Sequence, residues 1–141
     1  MSIKKSILVV AAHPDDEVLG CGGSIAKLVA SGCEVNVLFL ADGETSRFED
    51  QSSPKTTKKI SDRQKAAKEC CDILGCKIFQ FGIFPDNKLD TVSLLDVTKT
   101  IEVAFQALSP EIVFTHFSGD LNQDHQLVNH AVSLACRPVV G

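Results

Sequence analysis

The sequence predicts an α/β protein in which helices cover both faces of a mainly parallel sheet of about four strands. Three observations carry that expectation. The chain has 141 residues, which fits one domain with one core. Short runs rich in β-branched residues alternate along it with segments of helical spacing. The first run is apolar at successive positions, as a strand covered on both faces must be.

That first run, Ser6 to Ala12 (SILVVAA), ends at His13, and Ser24 to Ala30 (SIAKLVA) follows with a helical pattern stopped by Ser31-Gly32. Glu34 to Leu40 (EVNVLFL) repeats the strand signature. A second helix is expected over Asp62 to Leu74, with Ser61 as N-cap and Gly75 as terminator. Lys77 to Phe81 reads as the third strand and about Ser93 to Leu108 as the third helix. Ser109-Pro110 then introduces a fourth strand, Glu111 to Thr115, and a last helix from about Asp124 to Ala135 stops before Pro138. Ala41 to Ile60 is left as a long polar loop, and loops of that length inside compact domains are usually functional. The alternation amounts to a Rossmann-like three-layer sandwich.

Composition narrows the function. With 44% apolar and 23% charged residues the chain is not a disordered one. Its longest apolar run, Ile7 to Ala12, is far short of the roughly 20 residues of a membrane helix. The N-terminal MSIKKS offers no small-residue cleavage site, so a cytoplasmic protein without an anchor is expected. Lys and Arg number 14 against 18 Asp and Glu, a formal net charge of −4, and no basic run exceeds a pair. Nucleic acid is therefore not expected as a partner, and a small molecule is; self-association stays open. The six cysteines form no CxxC and fall mostly in apolar segments, so they read as reduced core thiols.

In open α/β sheets ligands bind beyond the carboxyl ends of the strands. The first strand empties there into His13-Pro14-Asp15-Asp16-Glu17, and the fourth into His116, Asp120, Asn122, Asp124 and His125. Helix capping accounts for isolated acids but not for a histidine in each cluster. Imidazole and carboxylate together suit zinc or a similar divalent ion, for which catalytic sites use three protein ligands. Gly20-Cys21-Gly22-Gly23 between strand and helix lacks the GxGxxG spacing, and neither GxxxxGK[ST] nor GxSxG occurs, so nucleotide-binding and serine-hydrolase readings are weak.

The strings AAHPDDEVLGCGG (11–23), ADGETSR (41–47), the helix bearing Arg63, FPDNKLD (84–90) and THFSGDLNQDH (115–125) resemble the LmbE-like, or PIG-L, zinc-dependent sugar N-deacetylases. Members of that family remove acetyl groups from N-acetylglucosamine-type sugars and conjugates. The resemblance implies that His13, Asp16 and His125 ligate Zn2+, with other divalent ions also suitable, and that the fourth position is left for water. It implies Asp15 as general base and an acetylated amino sugar as the small-molecule substrate. Asp124 is then expected to orient a ligand, and Arg63, Asp86 and Arg47 to bind substrate. The plainer readings of these four are a helix acid, a surface ion pair, a turn acid and a solvated loop charge.

One position departs from the family pattern: Asn122 stands where many members carry the histidine that stabilises the oxyanion. Asn donates a hydrogen bond but no charge, and His116 is the other residue expected to fill that role. His130, on another side of its helix, is expected at the surface. The chain also lacks the C-terminal strands usual in the family, so residues 1–141 are expected to form a single truncated core. A metal-dependent hydrolase of another amide or a phosphoester, and an idle sugar-binding remnant, are the competing functions.

Overall fold

A computed structural model describes residues 5–138. Four parallel strands, β1 (Ser6–Ala11), β2 (Glu34–Ala41), β3 (Lys77–Phe84) and β4 (Ile112–Phe114), form one sheet in the order β3-β2-β1-β4. Helices α1 (Asp16–Ala30) and α2 (Pro54–Leu74) cover one face, and α3 (Leu94–Leu108) and α4 (Gln123–Ala135) the other. The three-layer α/β architecture is as expected.

Strand alternation divides the core in two. Leu8, Val10 and Ala12 of β1 and its exit pack with Leu38 and Leu40 against Ile101 of α3 and Val128 of α4. Ile7, Val9 and Ala11 point the other way, onto Ile25 of α1 and Ala67 and Cys71 of α2. Both faces being covered explains why β1 is apolar at every position from Ile7 to Ala11. β1 pairs with β2 from Ser6↔Glu34 to Ala11↔Phe39 and with β4 from Ile7↔Ile112 to Val9↔Phe114, so all four strands end along one edge. Between β2 and β3 the register slips after Val37, and Gly82 lets β3 close on β2: a Cβ there would stand 2.1 Å from the Leu40 carbonyl oxygen.

Several boundaries differ from the expected ones. α1 begins at Asp16 rather than Ser24 and runs through Gly20-Cys21-Gly22-Gly23, with a break at Cys21 (φ −144°, ψ 21°). Three glycines of low helix propensity hide this turn in the sequence. α2 begins at Pro54, where the Ser53 hydroxyl caps the Thr56 N–H, instead of at Asp62. Its first two turns are mostly solvent-facing and hence polar, which disguised them as loop. β3 extends three residues past Phe81.

The cysteines are all free, but only Cys71 and Cys76 are buried, and Cys136 is exposed. The expectation of six core thiols is corrected accordingly. Cys21, Cys33 and Cys70 are half-buried, Cys21 and Cys33 against the core on the α1/α2 face. No helix among the described residues is long and apolar enough to cross a membrane.

Candidate metal centre and active site

All four strand ends contribute to one cluster. His13 follows β1, and its Nδ1 lies 3.3 Å from Oδ2 of Asp16 in the first turn of α1. His125, in the first turn of α4, brings its Nε2 to 3.3 Å from the same oxygen. Tetrahedral zinc with ligands at about 2.0–2.1 Å separates its ligand atoms by about 3.3 Å. The two observed spacings match that edge length, so the donor set His13, Asp16 and His125 fits a divalent metal ion.

Carboxylates stand behind both imidazoles. The Nε2–H of His13 donates to Asp124 Oδ2 at 2.9 Å and faces Asp86 Oδ1 at 3.1 Å. Nδ1 of His125 faces Asp120 Oδ2 at 3.0 Å. A carboxylate on the outer nitrogen fixes the tautomer and ring plane of a metal-binding histidine. Asp124 also accepts from the backbone N–H groups of Asn87 and Leu89, pinning the loop after β3 beneath the site. Burial disfavours the His13 charge, but hydrogen bonds to Asp124, Asp16 and Asp86 outweigh it and raise its pKa to about 11. Burial likewise opposes the Asp86 charge, and hydrogen bonds from His13 and Ser46 overcome it, bringing Asp86 down to about 2.

Asp86, expected to bind substrate, is 3% exposed and contacts His13 Nε2 and the Ser46 hydroxyl. Asp120 has a partner that the sequence reading did not give it. Its place in the polar cluster after the fourth strand was its signal in the sequence, and an Asn122 N–H to Asp120 Oδ1 hydrogen bond orders it.

His116 stacks on His125 with ring centroids 3.8 Å apart, and its Nε2 accepts the Ala12 N–H at 2.8 Å. Burial and the neighbouring His125 charge lower its pKa to about 4. His116 is thus neutral, with its proton on Nδ1. The Oδ1 of Asn122 caps α4, accepting from the N–H groups of Asp124 and His125, which leaves its NH2 as a donor. His130 is exposed, as expected.

Asp15 lies half-exposed at the start of α1, and its Oδ2 accepts from Arg63 Nη1 at 2.8 Å. Arg63 also donates to the Pro14 carbonyl and, through Nε, to Glu44 Oε1 at 2.7 Å. The guanidinium of Arg63, expected to bind substrate, is thus engaged by Asp15, Pro14 and Glu44. Glu44 is set in turn by Asp42, whose Oδ1 caps the N–H groups of Glu44 and Thr45. Gly43 (φ +73°) lets this loop pass: a Cβ would stand 3.1 Å from both Arg63 Cδ and Pro14 Cδ. Arg47 remains an exposed loop cation with a loose 3.4 Å contact to Glu44. Glu17, next to Asp16, is 1% exposed, and neither of its carboxylate oxygens has a hydrogen-bond partner.

The fold and the donor set define an α/β protein with a metal-competent site at the carboxyl edge of its sheet. Residues 8–136 match the PIG-L family, described as GlcNAc-PI de-N-acetylase, and the chain belongs to that family. It is 31% identical to the uncharacterized deacetylase YaiS of Escherichia coli K12, over 96% of this chain and 70% of that protein. The N,N'-diacetylchitobiose deacetylase of Pyrococcus horikoshii superposes with a TM-score of 0.76 at 25% identity, over 93% of this chain and 49% of that one. GalB, a 4-carboxy-2-hydroxymuconate hydratase from Pseudomonas putida KT2440, does so with a TM-score of 0.77 at 28% identity, over 93% and 55%. The chain thus spans about half the length of these solved relatives.

Proposed function

We propose that this chain is the core of a metal-dependent N-deacetylase acting on an N-acetylglucosamine-type sugar or conjugate. The observation that carries the reading is that His13 Nδ1 and His125 Nε2 each stand 3.3 Å from Asp16 Oδ2, the edge length of a tetrahedral ligand set, in the sequence neighbourhood of Asp15. The family and the deacetylase relatives support the reaction type.

His13, Asp16 and His125 would hold the ion, with Zn2+ the expected one. When bound there, such an ion supplies Lewis acidity, polarising an acyl carbonyl and making water more acidic. Asp15 acts as the base: Arg63 fixes its Oδ2, and Oδ1 takes the proton of the attacking water and returns it to the departing amine. Asp124 and Asp120 hold the outer nitrogens of the two histidines. The donors this chain offers a developing oxyanion are neutral ones, the Asn122 NH2 and the His116 Nδ1–H, so it meets that charge without an imidazolium. Further residues outside 1–141 completing the substrate wall are part of the same proposal.

The test is acetate release from N-acetylglucosamine conjugates by the metal-loaded protein and its Asp15→Asn variant. Stoichiometric metal with acetate release lost in the variant is expected; no metal and no effect of the substitution would sink the reading. GalB gives a second reading, addition of water to an enol or alkene acid, and an assay for hydrated product without acetate distinguishes it.

A further inference from the structure

Two of the six cysteines meet at the end of α2. Its last turn stops at Gly75, whose φ of +75° reverses the chain, and the N–H groups of Gly75 and Cys76 both return to the Cys71 carbonyl, the latter at 3.0 Å. A helix that ends in this way sets the side chain just after the glycine against one in the last turn, a contact usually made by two apolar residues. Here both are thiols. Cys71 is 0% and Cys76 6% exposed, within the core on the α1/α2 face. The two side chains hydrogen-bond each other, and Cys76 Sγ lies 3.7 Å from the Cys71 carbonyl oxygen. That hydrogen bond favours the Cys76 thiolate against the opposing effect of burial, while together with burial it keeps the proton on Cys71. Both cysteines also line a cavity of about 430 Å³ against residues 78–81 of β3, which gives a small solute access to them.

We propose that Cys71 and Cys76 are a reversible oxidation site, at which a hydroperoxide converts the two thiols into a disulfide that staples the end of α2 to the start of β3. The Cys76 sulfur attacks the hydroperoxide and the O–O bond breaks. An alcohol leaves, or water from hydrogen peroxide itself, and Cys76 becomes a sulfenic acid. The Cys71 sulfur then attacks the Cys76 sulfur, and the Cys71 proton departs with the displaced hydroxide as water. Two thiols are oxidised and one hydroperoxide is reduced; a dithiol reductant reverses the change by exchange. Cys70 is not part of the pair, since it lines the separate cavity that holds Arg63 and Asp15. Neither Cys71 nor Cys76 is in a grouping able to share a metal ion among the described residues, so the inference is independent of the deacetylase reading.

The test exposes the whole chain to hydrogen peroxide, alkylates the remaining thiols and maps the tryptic peptide 69–77, which carries Cys70, Cys71 and Cys76. A peptide two hydrogens lighter and alkylated on Cys70 alone is expected. Its disulfide should form equally in Cys70→Ser and be lost in Cys71→Ala and Cys76→Ala. The oxidised wild type should unfold about 4 °C or more above the reduced protein, and reductant should return it to the lower Tm. Three alkylated cysteines in the peptide, at a peroxide dose that oxidises the exposed Cys136, overturn the site. So does a disulfide that uses Cys70, or a Cys76 sulfinic acid without a disulfide. An unchanged Tm overturns the staple. The wild-type peptide map decides even where an alanine variant does not fold.

Discussion

Asp124 Oδ2 receives the Nε2–H of His13 at 2.9 Å across 111 positions of sequence, joining the first turn of α4 to the exit of β1. The same carboxylate accepts two backbone N–H groups from the loop after β3, so one buried side chain ties three of the four strand ends together. Replacing it with alanine leaves two amides without an acceptor and His13 Nε2 with Asp86 alone. Asp124→Ala is expected to weaken metal binding about 10–100-fold and to cost about 1–3 kcal/mol of stability. Metal titration and urea denaturation of the variant measure both, and unchanged metal affinity would contradict the orienting role.

Arg63 separates two roles that the sequence left together. If it orients Asp15, as the 2.8 Å contact indicates, Arg63→Ala lowers kcat with a smaller change in KM. Arg63→Lys should recover little of the loss, because lysine cannot reach Asp15, Pro14 and Glu44 at once with the geometry of a guanidinium. A raised KM with kcat intact would instead make Arg63 a sugar-binding residue.

The elevated His13 pKa gives the metal-free protein a definite pH dependence. Between the ordinary value of 6.5 and about 11 the folded chain holds a proton that the unfolded chain has released. Stability from this group is therefore complete below pH 6.5 and is lost as pH rises through the folded value. Thermal unfolding in chelator should show Tm falling from pH 7 to pH 10, and His13→Gln should flatten that fall. A wild-type profile as flat as the variant's would exclude the coupling.

Gly43 is expected to resist substitution although it lies in a loop. Alanine there must adopt a positive φ, and its Cβ meets Arg63 Cδ and Pro14 Cδ at 3.1 Å. The cost is about 1–3 kcal/mol of backbone strain, accompanied by displacement of Arg63 from Asp15. Gly43→Ala should lower both Tm and kcat, measured by calorimetry and acetate release; a variant with wild-type values in both would show that the loop yields freely.

The sequence by itself determined the layered fold and, through its resemblance to the PIG-L family, named the proposed ligand set. Short runs rich in β-branched residues and helical spacing are local signals, from which four strands and four helices could be read, though the glycines of α1 and the polar first turns of α2 concealed where those helices begin. Charge at a strand's carboxyl edge needs a partner and parallel strands bring such edges together, which pointed to the two clusters; the choice of His13, Asp16 and His125 within them came from the family resemblance. Tertiary structure alone decided which carboxylate stands behind which imidazole. Asp86 turned inward to His13, Asp120 turned to His125, and Arg63 closed on Asp15 and Glu44. Those choices depend on the register of β1 with its neighbours and on the seating of α2 and α4. A hydrogen bond between residues more than a hundred positions apart leaves no periodicity in the chain from which it could be read.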